Sequence, residues 1–374
     1  MSATNGDDII IGTAVGEVIN GLAGKDTIRG GGGADTIFGG EGNDTILLYL
    51  GDGVSGEKLD GGAGEDTLEL GNNASMASIG LTTNFEILKL EGDAVIAANQ
   101  IADFDTFSSR FGGTNNLFAA AAGTYSFAGK MVAANIRFYG STAADKITGS
   151  AAGDWLRGGG GADTIFGGEG NDTVFLSVGD GVSGEKLDGG DGEDTLELGD
   201  RANMASIGLT KNFEILMLDG DATIAASQIA DFDTFTSRFG GTNNLFAAAA
   251  GTYSFAGKTV ASNIRFYGST AADKITGSAA GDWLSGGGGA DSITGGSGDD
   301  TFAVVRGAAS GVSIADFQGG GTIGGDMLHL YNFGSGASLK SNGGSSYSIV
   351  YNGGVENINI SSSSILTSQD YRFL

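Results

Sequence analysis

A nine-residue period, Gly-Gly-x-Gly-x-Asp-x-U-x with U a large apolar residue, limits what this chain can become. Gly30 to Phe38 reads GGGGADTIF and Gly39 to Leu47 reads GGEGNDTIL. Upstream, Gly21 to Arg29 (GLAGKDTIR) departs once, and the stretches from Gly12 and Ala3 keep mainly the acid and the apolar position. Four copies in tandem recur from Gly140 to Phe175 and four from Gly268 to Ala303. Single copies stand at Gly61 (GGAGEDTLE) and Gly189 (GGDGEDTLE), each after a looser DGVSGEKLD. A larger repeat encloses the small one: residues 30–157 align with 158–285, with 17 differences in 128 positions. Such self-similarity is the mark of a solenoid.

Each position has a physical task. The GGxGx part turns the chain sharply with carbonyl oxygens facing a small space, which glycine permits. The xUx part is a short strand with U inward and its neighbours outward. Two nonapeptides make one flattened coil of 18 residues. Asp8, Asp26 and Asp44 then share one edge, and Glu17 and Asp35 the other. Carboxylates one strand spacing apart, about 4.8 Å, repel unless a divalent ion lies between them. Carboxylate plus carbonyl oxygen is a hard-cation donor set, and a site offering several oxygens suits calcium better than magnesium.

Composition narrows the alternatives. Gly is 71 of 374 residues, with no Pro and no Cys, so disulfides, thiolate metal sites and cysteine nucleophiles are excluded. Acids number 45 and Lys plus Arg 19, a net charge of −26, which argues against nucleic acid as a partner and for a neutralising cation. No apolar run reaches the roughly 18 residues of a membrane span, so no membrane insertion is expected. The start, MSATNGDDIIIG, shows no secretory leader.

These tandem nonapeptides resemble the calcium-binding repeats of RTX (repeat-in-toxin) proteins, most closely RTX surface-layer and extracellular structural proteins. The resemblance implies an all-β fold, a right-handed parallel β-roll or β-helix solenoid with calcium ions held in the turns. On that pattern the carboxylate ligands are Asp8, Asp26, Asp35, Asp44 and Asp66, then Asp145, Asp154, Asp163, Asp172 and Asp194, then Asp273, Asp282, Asp291 and Asp300. The carbonyl ligands are Gly30, Gly32, Gly39 and Gly61, then Gly158, Gly160, Gly167 and Gly189, then Gly286, Gly288 and Gly295. Rolls are expected at 1–69, 140–197 and 268–303, joined by β-solenoid at 70–139 and 198–267. A separate inserted β-sandwich is the alternative for those joining segments. FEILKLEG, AVIAANQIADF and NIRFYG read there as strands. Residues 304–374 read as capping strands followed by a serine-rich tail, NISSSSILTSQDYRFL, which resembles an uncleaved type I secretion signal.

The remaining chemistry is sparse. His329, the single histidine, alternates with apolar residues and reads as a strand residue. Trp155 and Trp283 take the outward position and mark either a subunit contact or packing under a loop. Arg110 and Arg238 either bind an acidic sugar or hold the fold. The resulting expectation is a non-enzymatic, secreted, bacterial cell-surface protein that folds with calcium and self-assembles into a surface layer or filament. Its expected partners are further copies of itself, the type I secretion apparatus and cell-surface polysaccharide. An adhesin or ice-binding module, carried by the outward threonines Thr27, Thr36 and Thr45, is one alternative. A calcium-dependent polysaccharide lyase or epimerase is another.

Overall fold

The period of two along xUx places one apolar side chain per nonapeptide inward, and an 18-residue coil stacks those side chains in file. In the computed structural model, which describes residues 3–319, 325–362 and 364–374, these files are the core. The chain divides into two compact units, Met1–Phe175 with Val182–Asp194, and Leu176–Gly181 with Thr195–Leu374.

In the first unit, strands Ile9–Ile11, Thr27–Arg29, Thr45–Leu48, Thr67–Leu70, Ile87–Leu90, Thr106–Ser109 and Met131–Val132 stack as one parallel sheet. Val18–Asn20, Thr36–Glu41, Lys58–Ala63 and Leu81–Thr83 form the sheet of the alternate nonapeptides. The register aligns Ile10, Ile28, Ile46, Leu68, Leu88 and Phe107 in one buried file. Each such side chain contributes about 1.5–3 kcal/mol through removal from water. The stretch without nonapeptides therefore continues as parallel solenoid, with Asn115–Ala119, Ile136–Tyr139 and Trp155–Arg157 pairing in turn. Its interior is filled by aromatic rings: Phe107, Phe127 and Phe138 meet edge to face at 5.1 Å.

The second unit repeats this plan from Thr195–Leu198 through Ile215–Leu218, Thr234–Ser237 and Thr259–Val260. Parallel coils continue through Trp283–Ser285, Thr301–Val305 and Met327–Tyr331. The serine-rich end lies within the folded body, for Tyr371–Phe373 pairs with Met327–Tyr331.

Two features depart from the strand pattern read in the sequence. The segment AVIAANQIADF is a strand only at Ala94–Ile96; Ala98–Asp103 is a 3-10 turn, repeated at Ala226–Asp231. Its cause is Gln100, whose Oε1 accepts the Ala97 N–H at 2.9 Å while its Nε2 donates to the Met76 carbonyl at 2.9 Å. The closing strands are also not all parallel. Ser338–Gly343, Ser346–Tyr351 and Gly354–Ser362 form an antiparallel meander. Its tight turns use Gly344 (φ 61°) and Gly353 (φ 105°), where a side chain would be strained.

Removing the Gln100 side chain takes away one buried and one part-buried hydrogen bond. Gln100→Ala is expected to lower stability by about 1–3 kcal/mol, measured by denaturant unfolding in saturating calcium.

Candidate metal centre

The turns build the site from one short-range constraint. A Cβ placed on Gly39 would lie 2.5 Å from Asp44 Oδ2 and 2.2 Å from the Gly61 carbonyl oxygen of the next coil. Only a glycine leaves room for these two oxygens to converge. Around Gly21 the Asp26 carboxylate and the Gly39 carbonyl converge in the same way, and around Gly167 the Asp172 carboxylate and the Gly189 carbonyl. The following glycine, Gly40 at φ 118°, turns the chain where a side chain would strike the Leu22 carbonyl.

Most of the aspartates are held by the first oxygen. The N–H of Asp26 donates to Asp44 Oδ1 at 2.8 Å, and that of Asp44 to Asp66 Oδ1 at 2.7 Å. Asp8 N–H reaches Asp26, Glu17 N–H reaches Asp35, and Asp145 N–H reaches Asp163, each at 2.8 Å. Asp154 donates to Asp172, Asp172 to Asp194, Asp273 to Asp291 and Asp282 to Asp300 at 2.7–2.9 Å. Both expected edges of the first roll are thus present as carboxylate columns.

The second oxygen is different. Among the described residues, Oδ2 of Asp26, Asp35, Asp44, Asp66, Asp172, Asp291 and Asp300 is buried without a hydrogen-bond donor. These side chains are at most 1 % exposed. Burial raises the carboxyls of Asp35 and Asp44 and pushes Asp66 and Asp291 up to about 6 and Asp172 and Asp300 up to about 7. Neighbouring carboxylates in each column add to the rise. A buried ionised oxygen facing a carbonyl, with no donor, is a site for a cation. No group of three or more His, Asp or Glu side chains arranged to hold a metal ion by themselves is found among the described residues. The carbonyl oxygens of Gly39, Gly61 and Gly189 converge with the carboxylates of the preceding turns.

The family model described as RTX calcium-binding nonapeptide repeat (4 copies) matches residues 11–46, 139–174 and 267–302. The chain carries RTX calcium-binding repeats. No curated protein matches it.

The RTX turns do not treat all expected ligands alike. Asp8, Asp145, Asp154, Asp273 and Asp282 have an Oδ2 that already accepts a backbone N–H, from Thr4, Ser141, Ser150, Ser269 and Ser278 at 2.5–2.6 Å. The first-position carbonyls of Gly30, Gly39, Gly61, Gly158, Gly167, Gly189, Gly286 and Gly295 face the preceding turn on their own edge. Gly32, Gly160 and Gly288 donate their N–H groups to Thr13, Ser141 and Ser269 of the preceding coil.

Three oxygen-bearing groups beside the turns lie outside the motif's aspartate and glycine positions. The Asn84 carbonyl converges with Asp66 Oδ2 around Gly61, and Glu86 Oε2 accepts the Asp66 N–H at 2.7 Å, extending the Asp column past the last nonapeptide. Glu57, from the looser DGVSGEKLD copy, is buried and pushed up to about 7, mainly by desolvation and then by Asp35 and Asp52. The visible signal for Glu86 is its register, since Ile87 and Leu88 pair with Thr67 and Leu68.

The other singled-out residues are engaged in packing. Trp155 lies between Tyr139 and Phe175, with Arg137 4.9 Å from its ring centre. Trp283 packs on Tyr267 with Arg265 at 5.1 Å. Arg110 forms ion pairs with Glu69 and Glu91, and Arg238 with Glu197. His329 sits half-buried beside Tyr331, its pKa lowered by desolvation and then by Arg372 and Arg265.

Asp44→Asn keeps the size and the first-oxygen acceptor but removes the charge. We expect calcium affinity at that turn to fall about tenfold or more, read by titration calorimetry. The raised carboxyls set a pH dependence. An ion-free fold holds protons that the unfolded chain, with Asp near 3.9, releases. Its stability is therefore present below about pH 4 and lost as pH rises through 6 to 7. In EDTA the urea midpoint should fall between pH 4 and 8, and saturating calcium should abolish that fall.

Proposed function

We propose that this chain is a secreted structural protein that folds as calcium fills its RTX turns and then assembles with copies of itself outside the cell. The reading is carried by the buried second oxygens of Asp26, Asp44, Asp66, Asp172 and Asp300, which have no donor of their own. Carboxylates and carbonyls of successive turns would hold each ion, and the ion would supply the charge compensation that makes their burial tolerable.

Two further observations support it. The described strands belong to solenoid coils or to the closing meander, and the groove of about 650 Å³ beside Phe118, Tyr139 and Arg157 is lined by no acid–base pair. The near-identity of 30–157 and 158–285 repeats the same outward surface, as lateral association of equivalent units requires. No helix among the described residues is long and apolar enough to cross a membrane.

Calcium supply would set the place of folding. Where calcium is scarce the net charge of −26 disfavours the compact state and keeps the chain exportable, while millimolar calcium converts binding into folding free energy. A type I apparatus acting on the C-terminal segment, and attachment to cell-surface polysaccharide, belong to the same proposal.

Adding calcium to EDTA-treated protein at pH 8 should produce a gain of β circular dichroism, with lattices or filaments in negative-stain micrographs. A chain that is fully folded in EDTA at pH 8 would overturn the calcium step. One that folds with calcium but stays monomeric at high concentration would overturn the assembly step.

A further inference from the structure

The first two turns of every roll share a feature at the second position that the others lack. Their second residue carries a hydroxyl: Thr4 and Thr13, Ser141 and Ser150, Ser269 and Ser278. In each, the N–H of that residue donates to the carboxylate four residues on, at 2.5–2.6 Å, Glu17 standing for the aspartate after Thr13. The hydroxyls of Thr4, Ser269 and Ser278 add a second bond to the same oxygen at 2.8–2.9 Å. In the serine turns the hydroxyl oxygen also accepts the N–H two residues on at 3.1 Å, from Ala143, Ala152, Ala271 and Ala280. These turns are closed upon themselves.

In the open turns the second residue has positive φ, as at Gly31, Gly40, Gly62, Gly168, Gly287 and Gly296. The carboxylates of Asp35, Asp44, Asp66, Asp172, Asp291 and Asp300 that follow them keep an Oδ2 without a donor. Leu22 separates residue type from conformation. It is not glycine, yet it stands at φ 77°, its N–H is turned to Asn20 Oδ1, and Asp26 Oδ2 is left open.

We infer that the conformation at the second position of an RTX turn decides whether that turn takes a cation, and that the first two turns of each roll are closed without one. The physical ground is direct. An N–H aimed at the carboxylate oxygen satisfies it and puts positive charge where the cation's own charge would otherwise be needed. The Gly167 carbonyl still approaches Asp154 Oδ2 around Gly149, so the oxygens are present and the Ser150 N–H is what closes the site. Each roll thereby begins with a pair of turns that keep their shape before any ion arrives, and these form the template on which the ion-requiring turns stack. The inference rests on the calcium reading above.

The test is to reopen one turn. In the full-length protein, Ser150→Gly with Ala152→Gly restores glycine at the second and fourth positions before Asp154. Calcium per chain, measured by plasma mass spectrometry after equilibrium dialysis at pH 8, should rise by one ion over the parent. An unchanged count in a variant whose circular dichroism matches the parent would overturn the inference. The opposite change, Gly168→Ser with Gly170→Ala, should close the Asp172 turn and lower the count by one; a retained ion would likewise overturn it. Ser150→Ala keeps the N–H and should leave the count as in the parent. A parent chain that binds no calcium at all would instead defeat the proposed function.

Discussion

One carboxylate oxygen, buried beside a glycine and offered no proton donor, is the constraint around which the rest is arranged. An ionised carboxylate removed from water without compensation costs several kcal/mol. Here it recurs in columns, from Asp26 through Asp44 to Asp66 and again at Asp172 and Asp300, so the cost grows with every coil stacked. Protons or a divalent cation can remove it. The glycine beside each oxygen serves the same end, because any Cβ there would fill the space in which carboxylate and carbonyl converge. Glycine content, negative charge and absence of cysteine are three aspects of a solenoid whose crosslinks are to be ionic.

Much of this was legible in the sequence because its signal is periodic. Files such as Ile10, Ile28 and Ile46, and both carboxylate edges of the first roll, follow from counting in nines and eighteens. The RTX resemblance added the continuation into coils without nonapeptides. What escaped was not periodic or left no side-chain signature. The Asn84 carbonyl is a backbone donor and can be any residue. Glu86 and Glu57 stand where spacing has slipped from 18 to 20 and 22 residues. The 3-10 turn at Ala98–Asp103 is imposed by the reach of Gln100 to Met76, a tertiary contact that overrides local preference.

The turns with serine or threonine at the second position illustrate a subtler limit. By motif they look like weakened copies of the glycine turn. By hydrogen bonding they are a distinct device, complete in themselves, and their carboxylates are slightly less buried than those of the glycine turns, 4 % for Asp145 against 1 % for Asp172. The aromatic packing of Tyr139, Trp155 and Phe175 lies outward of such turns and binds successive coils by contact rather than by charge.

The strand register also has a consequence for how quickly order can spread. Pairing partners in the coils are mostly close in sequence, Ile9 with Thr27 and Thr36 with Lys58, so adding a coil closes only a short loop. Contact order therefore stays low however many coils are added, which favours fast folding for a β protein. The closing segment breaks this economy. Ser313 pairs with Asn359 and Leu328 with Tyr371, the longest closures among the parallel pairs described here. Loop-closure entropy makes these the contacts that must wait for the greatest length of chain to be available. A ribosome or export channel that still holds the last forty or so residues would thus leave the coils before them free to form and their final seal withheld.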